Sequence, residues 1–242
     1  MTRRRWIADE VSGNRAALVG EHAAHLARVL RARPGQEFDI VAAGRVRRGC
    51  VTAVSDQRVD FELGEDVAAA PDLPLTLLLA IFKFDRMEWA IEKLTELGAA
   101  RLVPVIARRT DARLVQAAGK RVERWSKIAR EAAEQSRRAV APEVVAPAKL
   151  REAVAGMEGL RIFLDESEER VTLKRALRGH VSGQPVALAF GPEGGWTGDE
   201  VKLLAERGWK AASLGHRILR AETAAIAAAA VVAAELEEPA SE

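Results

Sequence analysis

Apolar positions along the chain follow two rhythms, and the change between them falls near residue 72. Up to that point the apolar runs are short and broken by polar or glycine-containing turns. "EFDIVA", "RRGCVTAVS" and "RVDFELG" read as strands of a sheet or small barrel. One helix precedes them. In "GEHAAHLARVLRARPG", Ala23, Leu26, Ala27 and Leu30 share a helical face, and "RPG" ends it. The stretch "AAAPDLP", Ala68 to Pro74, has two prolines and no periodicity. A linker is expected there, dividing the chain into domains 1–72 and 73–242.

Beyond Leu75 the apolar runs become continuous, as in strands buried on both faces. "LTLLLAI", "RLVPVIA", "LRIFLD", "PVALAFG" and "KAASLG" are the predicted strands. Between them lie helical patterns. "DRMEWAIEKLTELG" places Met87, Ala90, Ile91, Leu94 and Leu97 at helical spacing before a stop at Gly98. "GKRVERWSKIAREAAEQSRR" turns Val122, Trp125, Ile128, Ala129 and Ala132 inward. The alanine-rich "AETAAIAAAAVVAAEL" closes the series; its small side chains suit tight packing against another element or a second subunit, though an ordinary alanine-rich helix fits it as well. Strand–helix alternation of this kind predicts an α/β domain with a mostly parallel sheet covered on both faces.

Composition narrows the function classes only a little. Thirty-seven Lys and Arg against thirty-five Asp and Glu leave a formal charge of +2, so bulk charge does not point to nucleic acid. The distribution is less even. Residues 1–48 hold ten Arg and five acids, and residues 108–138 hold ten Arg or Lys and four acids. These are either basic surfaces for a phosphate backbone or solvated arginine-rich faces. The single cysteine, Cys50, excludes an intramolecular disulfide and a multi-cysteine zinc site, and reads as a half-buried strand residue. No metal-ligand cluster is visible. "MTRRRW" lacks an apolar run behind it, and the longest apolar stretch is too short to span a bilayer, so a cytoplasmic protein is expected.

The candidate chemistry lies in three loops at strand ends, the ligand side of such a sheet. "GPEGGW" follows the strand Val186 to Phe190 and leads into a helix with a T-x-x-E capping box at Thr197 and Glu200. It lacks the lysine of a phosphate loop and the G-x-G-x-x-G spacing of a dinucleotide fingerprint. Glu193 in its middle would repel phosphate. A neutral or partly cationic ligand held by main-chain groups fits this loop; so does a tight turn with a capping glutamate. The second loop, "SLGHRILRAET", sets Arg217 and Arg220 before the last helix, either as donors to an anion or in a surface pair of Arg220 with Glu222. His216 alone is unpersuasive as a base. The third loop, Asp165 to Ser167, is uninformative by itself.

Taken in this order, "GPEGG" (Gly191 to Gly195) and "SLGHRILRAETAA" (Ser213 to Ala225) resemble the RsmE family, within the knotted SPOUT class of S-adenosylmethionine-dependent RNA methyltransferases. "KFDRMEWAIEKLTELGA" and "ERWSKIAREAAEQSRR" support the likeness, and "HLARVLRARPGQ" echoes it more weakly, so it covers nearly the whole chain. The chain departs from the family where a glycine is usual in "FKFDR" and a cysteine at Ser136.

The resemblance implies a C-terminal SPOUT domain with a trefoil knot and an N-terminal PUA-like β-barrel for RNA. It also implies a homodimer with active sites at the subunit interface and no metal. The implied cofactor is S-adenosyl-L-methionine, in contact with Leu164, Gly191, Pro192, Glu193, Gly195, Leu214, Gly215, Ile218, Leu219 and Thr223. The implied reaction methylates N3 of a uridine in bacterial small-subunit (16S) ribosomal RNA. Arg220 would stabilise the uracil anion, and Glu222, Glu193 or water would accept the proton. Arg3, Arg4, Arg5, Arg28, Arg31, Arg108 and Arg109 would meet RNA phosphates. Alternatives are a SPOUT enzyme acting on a ribose 2′-oxygen or another base, and a non-enzymatic RNA-binding assembly factor.

Overall fold

In the computed structural model, which describes residues 5–67, 73–136, 138–181 and 183–236, the first half of the sequence pattern becomes a six-stranded mixed sheet. Its strands are β1 (Arg5–Ile7), β2 (Glu10–Ser12), β3 (Arg15–Val19), β4 (Glu37–Ala42), β5 (Arg45–Val54) and β6 (Arg58–Asp66), in the order β1-β4-β5-β6-β3-β2. Only β1 and β4 pair in parallel. Alternate residues Ile40, Val51, Val59, Phe61 and Leu63 point into one core, joined by Leu18, Ala23 and Leu26, so the sheet curls as a half-barrel around them. Cys50 sits half-buried in β5, as its pattern predicts. The expected helix is shorter than its periodicity suggests. Helix α1 (Gly20–Ala24) widens into a π-helical turn over His25–Val29, and Arg31 then takes a left-handed φ of 51°.

The second half builds a parallel sheet from β7 (Leu75–Ala80), β8 (Arg101–Ile106), β9 (Glu143–Val144), β10 (Ala148–Lys149), β11 (Leu160–Leu164), β12 (Val186–Phe190) and β13 (Lys210–Ala212). The order is β10-β8-β7-β12-β11-β13, with β9 also on β8. Helices α2 (Phe84–Glu96), α3 (Ala112–Ala118), α4 (Val122–Gln135), α5 (Leu150–Ala153), α6 (Leu173–Ala176), α7 (Gly198–Glu206) and α8 (Ala221–Leu236) connect or follow these strands. The continuous apolar run of β7 is explained by its position: Leu75, Leu77 and Leu79 enter the core under α2 and α8, while Leu78 enters the opposite one with Val103, Phe163, Ala189 and Leu204. Fully burying each such leucine contributes about 1.5–3 kcal/mol.

Two units divide the chain, Met1–Asp72 with Ala133–Ala141, and Leu73–Ala132 with Pro142–Glu242. The return of Ala133–Ala141 to the first unit is invisible in a linear reading, because it continues a helix that begins in the second. Of the expected linker Ala68 to Pro74, residues 68–72 lie outside the described residues. Among those described, no helix is long and apolar enough to cross a membrane.

Candidate active site

The order of the parallel sheet brings the C-terminal ends of β7, β11, β12 and β13 together, because β7 has β12 on one side and β12 is followed outward by β11 and β13. The three loops expected from the sequence leave these ends and wall a cleft of about 860 Å³. Leu164 through Ser167 form one side. Gly191 to Trp196 form the second, and Ser213 to Ala221 the third.

Each wall is held by identifiable bonds. Trp196 Nε1 donates to the Leu164 carbonyl at 3.0 Å, tying the loop after β12 to the end of β11. A Cβ at Gly191 would lie 3.2 Å from the Trp196 ring, so only glycine lets the indole pack there without displacement. Gly195 takes φ 70°, and its amide donates to the Pro192 carbonyl at 2.8 Å. The predicted capping box is present: Glu200 accepts from the Thr197 amide and hydroxyl, both at 2.9 Å, and the Thr197 hydroxyl caps the Glu200 amide. Glu200 is buried and also accepts from the Arg108 amide at 2.8 Å, anchoring the loop after β8. Asp165 accepts from the Ser167 amide and hydroxyl, which folds the third loop on itself.

The loop Leu214–Leu219 differs from the others. Its main-chain N–H and C=O groups find no hydrogen-bond partner among the described residues, although Leu214 and Leu219 are partly buried. Gly215 to Ile218 are exposed, so their backbone groups are open to water or to a ligand. Leu214, Gly215, Arg217, Ile218 and Leu219 of this loop line the cleft, whose apolar lining also includes Phe190 and Ala224. Uncommitted main-chain donors and acceptors beside apolar side chains suit a planar heterocycle with hydroxyl-bearing substituents.

Most residues proposed for the cofactor line this cleft: Leu164, Gly191, Pro192, Glu193, Gly195, Leu214, Gly215, Ile218 and Leu219. Thr223 does not; it is exposed in the first turn of α8. Arg220 lines the cleft, and its guanidinium has no partner among the described residues, so the alternative of a surface pair with Glu222 is not realised. Glu222 is buried, lies outside the lining, and has Arg86 Nε 3.6 Å from its Oε1. Glu193 does not cap a helix either. Its Oε1 is 3.4 Å from Nη1 of the same Arg86. Sequence reasoning missed Arg86, along with Lys83 and Trp196. Lys83 and Arg86 sit at the start of α2 and Trp196 ends the glycine loop, and none carries a motif of its own.

The candidate RNA-contacting arginines are dispersed. Arg3 and Arg4 lie outside the described residues. Arg5 is buried in β1, not presented on the surface. Arg28 is exposed and donates to Asp56 at 2.7 Å, which holds the carboxyl below its ordinary range through the hydrogen bond first and charge attraction second. Arg31 and Arg108 are exposed, and Arg109 lines the cleft with its guanidinium on the Gly194 carbonyl. No metal-ligand group exists among the described residues.

The site is a glycine-walled cleft at the strand ends of a parallel sheet, with no phosphate-loop sequence, and comparison with known proteins gives its class. The family described as RNA methyltransferase domain matches residues 69–233. The chain is 37% identical over 219 residues to ribosomal RNA small subunit methyltransferase E of Synechocystis sp., covering 88% of this chain and 71% of that one. It is 32% identical to the Bacillus subtilis protein of that name, over 91% and 90% of the two chains. Among solved structures, ribosomal RNA small subunit methyltransferase E from Neisseria gonorrhoeae bound to S-adenosyl methionine superposes with a TM-score of 0.82 at 29% identity, covering 96% and 97%. A Legionella pneumophila methyltransferase with bound cofactor SAM gives 0.83 at 28%, over 97% and 98%. The chain therefore belongs to the ribosomal RNA small subunit methyltransferase E family.

Proposed function

We propose that this protein methylates N3 of a uridine in bacterial small-subunit (16S) ribosomal RNA, using S-adenosylmethionine. The observation that carries the reading is one cleft lined by both the glycine loop and Leu214–Leu219, whose main chain has no partner among the described residues. That donor set fits adenine and ribose and asks for no phosphate-binding loop. When bound, S-adenosylmethionine supplies an electrophilic methyl group on a sulfonium centre.

The chain's own residues do the rest. Gly191, Gly195, Leu214 and Leu219 hold the cofactor through main-chain groups, with Leu164, Pro192, Gly215 and Ile218 completing the walls. Arg220 has an uncommitted guanidinium at the cleft and stabilises the anion formed when uracil N3 loses its proton. Glu222 is buried outside the lining, so we assign it to holding the start of α8 and leave the N3 proton to solvent. The target base reaches the cleft single-stranded or flipped. Arg31, Arg108 and Arg109 meet RNA phosphates, joined by Arg28 when it leaves Asp56. The working form is a cytoplasmic homodimer whose C-terminal segment is knotted, as the family resemblance implies.

Separate measurement of methyl transfer and cofactor affinity in Arg220→Ala tests the chemical assignment. Transfer should fall by about 100-fold, the usual loss on removing one oxyanion donor, with cofactor affinity little changed. Wild-type transfer would remove Arg220 from the chemistry.

A further inference from the structure

Arg86 stands between two carboxylates, one in the glycine loop that lines the cleft and one buried just outside the lining. Its Nη1 is 3.4 Å from Oε1 of Glu193, in the glycine loop after β12. Its Nε is 3.6 Å from Oε1 of Glu222, in the first turn of α8. The residue itself sits in the first turn of α2, with 29% of its side chain exposed, and lines the cleft. The two glutamates are in contrasting settings, Glu193 more than half exposed and Glu222 only 6% exposed. A buried carboxylate without a counter-charge is costly, so Arg86 has a buried partner in Glu222 and an exposed one in Glu193.

From this geometry we infer that Arg86 is a positioning residue for methyl transfer: one guanidinium clamps the glycine loop to the start of α8 and so sets the width of the cofactor cleft. The inference rests on the S-adenosylmethionine reading of that cleft. The fork of an arginine serves two acceptors at once from a fixed plane; a lysine offers a point charge on a flexible stem and does this less well. The clamp also explains a glutamate in a loop that approaches an RNA. The Arg86 guanidinium, shared with Glu222, offsets part of the Glu193 charge and so lowers its repulsion toward phosphate. Arg86 and Arg220 thereby divide the work. Arg86 is committed to two protein carboxylates, whereas Arg220 has no partner among the described residues and is available to substrate.

The test is a double-mutant cycle read by calorimetric S-adenosylmethionine affinity and by kcat and KM for RNA methylation. Arg86→Gln should weaken cofactor binding by about tenfold, the size of one charge-assisted hydrogen bond, while KM for RNA stays within about twofold. Arg86→Lys should recover part of that loss, and it remains informative should Arg86→Gln fold poorly. Adding Glu193→Gln to Arg86→Gln should cost little more, because the same contact is already gone. Losses that multiply across the pair would overturn the clamp, as would a wild-type cofactor affinity in Arg86→Gln. A wild-type protein that does not bind S-adenosylmethionine would instead refute the cofactor reading, leaving a result distinct from failure of the clamp.

Discussion

The indole of Trp196 donates its Nε1 proton to the Leu164 carbonyl across 3.0 Å, and its ring fills the space that a side chain at Gly191 would need. One residue thus registers the loop after β12 against the end of the neighbouring strand β11, and it lines the cleft. Trp196→Phe keeps most of the packing but removes the donor. It should weaken S-adenosylmethionine binding several-fold, about 1 kcal/mol, with little change in melting temperature. Calorimetry beside thermal denaturation separates the two effects; an unaltered affinity would mean that the Leu164 carbonyl does not need holding.

Gly191→Ala and Gly195→Ala should fail for different reasons. At Gly191 a methyl group meets the Trp196 ring at 3.2 Å, so the ring must shift and cofactor affinity should drop while the backbone is unstrained. At Gly195 nothing lies closer than 3.9 Å, but the φ of 70° is unfavourable for alanine by about 1–2 kcal/mol. The first variant should therefore lose binding more than stability, and the second should lose stability as well. Equal melting temperatures for both variants would contradict this division.

Glu200 joins three donors, the amide and hydroxyl of Thr197 and the Arg108 amide. Glu200→Ala strips the capping box and leaves the Arg108 amide without its partner. A loss of about 2 kcal/mol or more in denaturant unfolding is expected. A variant within about 0.5 kcal/mol of wild type would show that water replaces these bonds.

Arg28 must leave Asp56 to meet a phosphate. Asp56→Asn should free it and raise RNA affinity about two- to threefold at low salt, whereas Arg28→Ala should lower it and reduce the salt dependence by about one counterion. Binding titrations across a salt series read both. The ion pair also has a pH signature. Asp56 is held below its ordinary value of 3.8 when folded, so its stabilisation is complete above the ordinary value and is lost as pH falls through the lowered one. Both side chains are fully exposed to solvent, so the acid-side effect should be small.

Elements with long, unambiguous patterns were legible in the sequence. The doubly buried run at β7, the helical spacing from Met87 to Leu94 and the T-x-x-E box all stand in the fold where their periodicity puts them. Strands β1 to β3 were not individually legible: they are three to five residues long, and β2 is exposed throughout, leaving no alternation to read. The helix after β3 was overread because its apolar face continues through the π-helical turn. Of the site, the glycine loop and the Arg220 loop were visible because they carry unusual residue types. Arg86 was not, since its meaning comes only from two glutamates over a hundred positions further along the chain. The pairing of Glu193 and Glu222 with one arginine also separates Glu222 from Arg220, its nearest charged neighbour in sequence.

The central claim is the methylation of uridine N3, and one measurement bears on it most directly. Purified protein, S-adenosylmethionine carrying an isotopically labelled methyl group, and small-subunit ribosomal RNA or subunits lacking the modification are incubated together. The RNA is then digested and its nucleosides are resolved by mass spectrometry. The account predicts label in 3-methyluridine, abolished in Arg220→Ala. Label in a 2′-O-methylated ribose or another base, or no label under conditions where S-adenosylmethionine binds, would contradict it.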